Sequence, residues 1–219
     1  MARPRSAGYD DHREQILAAA ARLFATSGYP ATTMNDVASA CGLSKATLYH
    51  YVRDKHDLLA QVSRTHVQRL EALVAEVLRQ EEAPRERLAA LIHCFMAAYA
   101  DAQHEHRVLT EDVKFLQPGP QGEVLDGQRR VVAAFAQAIA AVRPELAGKP
   151  MAGALAMLLF GMMNWTFTWL RAAGPLSHEA VARMVSELFF GGLPAVQGLQ
   201  PTRPHASAVA PTPVTMPPH

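Results

Sequence analysis

Four side chains that can contact DNA follow one another closely in the segment GLSKATLYHYVRDK. They are Lys45, Thr47, Tyr49 and His50, and on one short helix they would form a basic, hydroxyl-bearing and aromatic face for the major groove. Lys45 suits the acceptors of guanine, and the methyl group of Thr47 suits that of thymine. Tyr49 suits a phosphate, and His50 either contacts phosphate or covers the end of the helix.

The residues around this face predict two short helices joined by a tight turn. Thr33 can cap the first helix, with Asp36 completing a capping box, and Gly42 follows where the chain must turn. Ser44 is a natural cap for the second helix. The free N–H groups at Thr33 and Ser44 favour phosphate contacts, and Lys55 can add another. We therefore predict a DNA-binding helix-turn-helix.

The rest of the chain shows helical periodicity and no strand-like alternation, which predicts an all-α protein. A helix from about residue 10 to 27 precedes the helix-turn-helix, and a long helix capped by Asp54 follows it. Later helices are expected from Pro84 and around 108–115, and the PGPQG run at 118–122 is expected to be a loop. The predicted regions are an N-terminal arm at 1–9, the three-helix DNA-binding domain at 10–55, a helical ligand-binding and dimerisation domain at 56–195, and a disordered Pro-rich tail at 196–219.

Composition restricts the function classes. The 219 residues are 49% hydrophobic with a net charge of +1, so a large core is available and any basic surface must be local. Only two cysteines occur, with no paired spacing, and no secretory leader is evident, which favours the cytoplasm. Neither a cofactor nor a metal site is expected. The alternatives are a helical metabolite-binding protein or enzyme with a metal site near His104 and His106, and a non-specific DNA-binding protein.

A second informative segment, PMAGALAMLLFGMMNWTFTWL at 150–170, is apolar all round and uncharged. Its length could span a bilayer, but its Asn, Thr and Gly residues disfavour that interpretation. We expect a buried helix with one face on a ligand pocket and the other on a second subunit, forming a homodimer with the last helix, which Ser177 caps. Periodicity does not say which face is which. The candidate pocket residues are Phe95, Tyr99, Phe115, Met157, Phe160, Asn164, Trp165 and Thr168.

Residues 13–59 resemble the DNA-binding domain of the TetR family of transcriptional regulators, through LFATSGYPATTMNDVA and GLSKATLYHYVRDK. The resemblance implies a homodimer on a palindromic operator, acting as a repressor that a small ligand releases. It also implies that Lys45, Thr47, Tyr49 and His50 contact the groove and its phosphates, with Thr33 and Lys55 on phosphates. The stretch LLFGMMNWTFTWLRAAGPLS resembles the subgroup that senses acyl-CoA or aryl-CoA thioesters.

Overall fold

The computed structural model describes residues 7–148, 150–171 and 174–197, and every regular element in these ranges is helical. This confirms the all-α prediction. Most of the expected arm and all but the first two residues of the tail lie outside the described residues. The α-helices are α1 Ala7–Ser27, α2 Met34–Ala40, α3 Lys45–Leu48, α4 Lys55–Leu78, α5 Pro84–Asp101, α6 Gln103–Glu111, α7 Pro118–Val142, α8 Pro150–Asn164 and α9 His178–Gly192.

Helices α1, α2 and α3 pack around one apolar core. Phe24 of α1, Leu48 of α3 and Leu58 of α4 are almost completely buried there. Helix α1 ends at Gly28, whose φ of 87° is the left-handed conformation that glycine adopts without strain. This core fixes α3 from behind, which leaves its other face free for a partner.

The predicted caps of α2 and α3 are confirmed. The Thr33 hydroxyl accepts from the Asp36 N–H at 3.2 Å, and the Asp36 carboxylate accepts from the Thr33 N–H at 2.8 Å. These bonds hold the pKa of Asp36 below its usual range. Between the helices Gly42 has a φ of 65°, and the Ser44 hydroxyl accepts from the Thr47 N–H at 3.0 Å. The turn and both helix starts are therefore fixed by local hydrogen bonds.

Helix α4 connects the N-terminal unit to the remaining helices. The side chain of Asp54 accepts from the Asp57 N–H at 2.8 Å and caps it, as expected. Its 24 residues span about 36 Å at 1.5 Å per residue. Along this length α4 packs against α5, α6 and α7, so it belongs to both parts of the molecule.

Helix α7 forms the centre of the C-terminal bundle, against α4, α5 and α8, while α9 covers α5. A Cβ atom at Gly127 of α7 would lie 2.3 Å from Cγ1 of Val67 on α4, so this glycine permits close approach of the two helices. Salt bridges flank the contact on both sides, Arg64 with Glu123 and Arg130 with Glu71.

Several predicted boundaries need correction. Helix α1 begins at Ala7, three residues before its expected start. The PGPQG run is not a loop but the first turn of α7, because Pro118 stands at a helix start, where its missing N–H has no partner to lose. The short helix expected around 108–115 is α6 followed by a separate 3₁₀ turn at Val113–Phe115.

Helix α8 and the 3₁₀ turn after it, Pro150–Thr168, are long and apolar enough to cross a membrane by length and composition. One face of α8, with Ala156, Leu159 and Met163, is completely buried against the bundle. Core helices commonly show this composition, and here 39% of the span is buried.

Candidate DNA-binding surface and ligand cavity

The outer face of α3 presents the side chains predicted to contact DNA. Lys45, Tyr49 and His50 are exposed, and Thr47 is half-buried. The Thr47 hydroxyl is 2.8 Å from that of Ser44, which fixes its rotamer and orients its methyl group. The structure thus brings four of the seven predicted DNA contacts onto one short helix and its C-terminal turn, with Ser44 as its cap.

Lys55 and Thr33 are engaged with neighbouring groups. The Lys55 ammonium donates to the carbonyls of Pro30 and Thr32 at 3.1 and 2.8 Å and lies 4.5 Å from the centre of the Tyr29 ring. Two of its three hydrogens are therefore directed at the loop before α2, and one remains for a phosphate. The Thr33 N–H is bonded to Asp36, so a phosphate there would compete with that carboxylate.

Tyr29 joins the DNA-binding unit to the C-terminal helices. Its hydroxyl is 3.0 Å from Nδ1 of His56, and its ring stacks on Phe115 with centroids 5.3 Å apart. Burial, with the nearby Asp54 and Asp112 carboxylates, raises the pKa of Tyr29, so its hydroxyl stays protonated. Helix α6 packs along α1 beside this contact.

A cavity of about 190 Å³ lies inside the C-terminal bundle. Helices α4, α5, α6, α7 and α8 all contribute to its wall. Most of the wall is apolar; its polar residues are Tyr99, His106, Thr110 and Asn164 on α5, α6 and α8, and Gln128 on α7. The lining residues are Val67, Leu70, Tyr99, His106, Leu109, Thr110, Gln128, Val131, Val132, Met157, Phe160 and Asn164.

Tyr99 and Asn164 form a fixed polar pair in this wall. The Tyr99 hydroxyl donates to Oδ1 of Asn164 at 2.9 Å, and burial raises the pKa of Tyr99 far above its usual range. Because the amide oxygen of Asn164 is taken, its amide nitrogen is the group that can donate to a ligand. The half-buried amide thus has a structural partner for its oxygen and a nitrogen that can donate into the cavity.

His106 and His66 lie buried beside this pair. The His106 ring stacks on Tyr99 with centroids 3.6 Å apart, and the His66 ring lies 5.7 Å from His106. Burial, reinforced by His66, lowers the pKa of His106 to about 3, although the main-chain carbonyl of Asn164 opposes the shift. Burial and Arg69 lower the pKa of His66 to about 4, so both imidazoles are neutral near pH 7.

The structure separates the eight predicted pocket residues. Tyr99, Met157, Phe160 and Asn164 line the cavity, so this face of α8 is the one turned toward it. Phe95 lies behind the wall as a fully buried core residue, and Phe115 lies outside the cavity, where it stacks on Tyr29. Trp165 and Thr168 follow the end of α8 on the 3₁₀ turn, where Trp165 is 59% exposed and Thr168 also faces outward.

Sequence reasoning missed the contribution of α6 to the cavity. His106, Leu109 and Thr110 share one helical face by their spacing of three and four residues, and that signal was available. His104 lies on the opposite, exposed side of α6. Among the described residues, no group of three His, Cys, Asp or Glu side chains could hold a metal ion.

An apolar surface covers the outer side of the last two α-helices. Its members are large hydrophobic side chains that are between 47% and 67% exposed, far more than the core residues beside them. Large hydrophobic side chains exposed on neighbouring helices, here α8 with its following turn and α9, commonly mark a protein–protein interface. The residues are Leu158, Trp165, Trp169, Met184 and Leu188.

Comparison with known proteins gives the family. The model of bacterial regulatory proteins of the tetR family matches residues 16–62, and that of the tetracyclin repressor-like C-terminal domain matches residues 81–193. The chain belongs to the TetR family. The protein is therefore a DNA-binding transcriptional regulator and not an enzyme.

Individual relatives agree with this assignment. The transcriptional repressor KstR2 of Mycolicibacterium smegmatis is 27% identical over 85% of this TetR-family chain and 92% of its own length. A TetR-family regulator from Bordetella parapertussis superposes with a TM-score of 0.80 at 32% identity, over 87% of this chain and all of that one. AibR, solved in complex with isovaleryl coenzyme A and operator DNA, superposes with a TM-score of 0.72 over 81% of this chain and 97% of its own, and at 24% identity it shows the shared fold.

Proposed function

We propose that this protein is a cytoplasmic repressor that binds a palindromic operator as a homodimer and is released by a small apolar effector. The observation that carries the proposal is the combination of an exposed reading face on α3 with an internal cavity in the same chain. The relatives support it, because KstR2 is named a repressor and AibR was solved with both an acyl-CoA and operator DNA. We further propose that the effector is a CoA thioester of a fatty or aromatic acid.

The reading face divides into positioning and specifying contacts. Lys45 reads guanine and the Thr47 methyl group contacts thymine, each contributing roughly 1–3 kcal/mol of discrimination. Tyr49, His50 and the helix start at Ser44 bind phosphates and set the orientation of α3. One copy of so small a unit binds weakly, and two copies at a fixed spacing bind the operator with the required affinity.

The dimer forms through the apolar surface of α8 and α9. Leu158, Met184 and Leu188 are the aliphatic members of that surface, and a second copy would remove them from water. A twofold arrangement pairs the same surface with itself, giving a four-helix bundle. The cavity is lined by a different face of α8, with Met157, Phe160 and Asn164, so both surfaces can be used at once.

Helix α6 provides a physical route between effector and DNA. Its residues His106 and Leu109 line the cavity, while the helix also packs on α1 of the DNA-binding unit. An effector that shifts α6 therefore moves the α1 contact and the Phe115–Tyr29 stack together. The free energy of operator binding weakens by the difference between the effector's binding energies for the shifted and the DNA-binding arrangements of α6. This difference is typically about 1–3 kcal/mol.

The proposed DNA contacts are tested on an operator selected from random duplexes. Lys45→Ala and Tyr49→Ala should each abolish operator binding at physiological salt and leave the dimer intact. Arg79→Ala, which removes an exposed positive charge at the far end of α4, is the matched control and should bind normally. Full affinity in both reading-face variants would contradict the proposal.

The effector part is tested by adding acyl-CoA and aryl-CoA thioesters during the same titration. A thioester that fits the cavity should release the operator at a concentration near its own dissociation constant. If none of them shifts the titration, the thioester class is refuted and the DNA-binding regulator stands.

A further inference from the structure

Two of the proposed DNA contacts lie on the turn that follows α3. Tyr49 and His50 come directly after Leu48, the last residue of that helix. The turn ends at Tyr51, whose N–H donates to the Leu48 carbonyl at 3.0 Å. A helix of four residues is not stable by itself, because its nucleation fixes several dihedral angles for each hydrogen bond. The orientation of this turn therefore depends on contacts with other helices.

One such contact is an aromatic stack between Tyr51 and Tyr9, which lies in the first turn of α1. The two ring centroids are 4.7 Å apart, and the ring planes are inclined by 24°. The His12 ring, three residues further along α1, lies 6.4 Å from that of Tyr51. Both tyrosine side chains are half-buried, and a stacked pair stabilises beyond the area that it buries. Helix α1 therefore holds the end of the turn through an aromatic ring.

A second contact from α1 fixes the main chain just beyond this turn. Arg13, four residues after Tyr9 and on the same face of α1, donates through Nε and Nη2 to Oε1 of Gln61, at 3.0 and 2.7 Å. The amide nitrogen of Gln61 donates to Oδ2 of Asp57 at 3.2 Å. That same oxygen accepts from the main-chain N–H of Arg53 at 2.9 Å. The turn is thus held by α1 at its last residue and, through α4, at the residue two positions later.

We infer that Tyr9 is a positioning residue for operator binding, which acts through Tyr51 and sets the place where Tyr49 meets its phosphate. The inference deepens the proposed function and rests on the proposed phosphate contact of Tyr49. Lys45 at the start of α3 is independent of this stack, because the Ser44 cap fixes that end of the helix. The first turn of α1 therefore strengthens binding to the phosphates and leaves base discrimination unchanged.

The first experiment measures the operator affinity of the full chain by fluorescence anisotropy at physiological salt. Tyr9→Ala should weaken binding at least about fivefold, because each dimer loses two stacks. Tyr9→Phe keeps the ring and should bind within about twofold of the unaltered chain. Gln15→Ala removes an exposed, neutral side chain from the same helix, and as the matched control it should bind normally. Unchanged affinity of Tyr9→Ala, or a loss in Tyr9→Phe as large as that in Tyr9→Ala, would overturn the inference.

The second experiment determines whether Tyr9 acts through Tyr51. In a double-mutant cycle, Tyr9→Ala is introduced into the unaltered chain and into the Tyr51→Ala variant. Once the Tyr51 ring is absent, loss of the Tyr9 ring should change operator affinity by less than about twofold, because its stacking partner is already gone. If the two substitutions weaken binding independently and their effects multiply, Tyr9 does not act through Tyr51 and the inference is overturned.

The third experiment separates positioning from a general loss of stability. Uncharged methylphosphonates replace symmetry-related pairs of operator phosphates, and the pair at which Tyr49→Phe reduces the resulting loss of affinity identifies the phosphate that Tyr49 contacts. At this pair, Tyr9→Ala should also reduce the loss at least about twofold. The losses at other phosphates, and the loss on replacing the guanine that Lys45 reads, should stay unchanged. A Tyr9→Ala chain that binds more weakly while every one of these losses is unchanged would overturn the inference.

The outcomes distinguish failure of this inference from failure of the proposed function. If the Tyr49 phosphate is found but Tyr9→Ala leaves the loss there unchanged, the inference alone fails. If the unaltered chain binds its operator and Tyr49→Phe alters the loss at no phosphate, the proposed Tyr49 contact fails and the inference falls with it. If no operator can be selected, both the proposed function and the inference fail. Thermal melting confirms that each variant is folded.

Discussion

Substitution of Gly127 by Ala tests the close contact between α4 and α7. The new Cβ would lie 2.3 Å from Cγ1 of Val67, so one group must move by more than about 1 Å to reach ordinary van der Waals separation. Val67 cannot rotate away easily, because a β-branched side chain in a helix has one strongly preferred rotamer. Because the flanking ion pairs are largely exposed, they add little resistance to separation of the two helices.

The expected magnitude follows from two opposing effects. Overpacking of a core costs typically 1–3 kcal/mol, and replacing a helical glycine by alanine returns roughly 1 kcal/mol. A 2.3 Å approach belongs to the upper part of the overpacking range, about 2–3 kcal/mol, so Gly127→Ala should lower the free energy of unfolding by about 1–2 kcal/mol. Val67→Ala alone should cost roughly 2 kcal/mol, but it also removes the clash. The double variant should thus be more stable than the sum of the single effects by about 1–3 kcal/mol.

Urea unfolding followed by circular dichroism measures these differences, at one protomer concentration because the stability of a dimer depends on it. Gly122→Ala is the matched control in the same helix, since nothing lies within 4 Å of a Cβ there. It should leave stability unchanged or raise it slightly. A Gly127→Ala variant as stable as the unaltered chain, or single effects that add within about 0.5 kcal/mol, would refute the assigned contact.

Three further predictions concern the dimer, a helix cap and acid stability. Leu188→Asp should produce monomers in analytical ultracentrifugation and lose operator affinity, while Leu78→Asp, at an exposed leucine on α4, should do neither. Ser44→Ala should lower the free energy of unfolding by about 1 kcal/mol through loss of the α3 cap, and Ser44→Gly by only a few tenths. Because the pKa values of His66 and His106 fall from 6.5 to about 4 and about 3 on folding, the unfolded chain binds more protons below pH 6.5. Stability should therefore decrease as the pH falls from 6.5 toward 4, by up to about 1.4 kcal/mol per histidine per pH unit, and urea titrations of His106→Phe should show a shallower decrease.

Local signals predicted four of the helix starts correctly. The caps at Thr33, Ser44, Asp54 and Ser177 each depend on a side chain and an N–H group three residues later, so the sequence contains all the required information. The PGPQG run was misjudged because proline ends a helix from inside but is favoured at its first turn. Whether Pro118 ends a helix or begins one depends on where the preceding chain allows the helix to start.

The cavity could be predicted only in part, because its lining residues come from five helices and meet only in the folded chain. Asn164 stood out as a single amide in an apolar helix, and the structure gives it the expected partner in Tyr99. Phe115 was expected in the cavity because of its aromatic type, and it stacks on Tyr29 instead. His106 was considered only as a metal ligand, because its contact with Tyr99 depends on how α6 crosses α5.

The contact between Phe115 and Tyr29 has an interaction energy similar to the expected coupling energy between effector and operator. An aromatic pair contributes about 0.5–1.5 kcal/mol beyond its buried area, which is comparable to the coupling of about 1–3 kcal/mol expected between effector and operator. A much stronger contact would hold the DNA-binding unit in one orientation whatever occupied the cavity. A contact of this size is stable in the absence of effector and can still be broken by the binding of one small molecule. Since α6 carries cavity residues at its centre and leads directly to Phe115, the two events share one short segment of the chain.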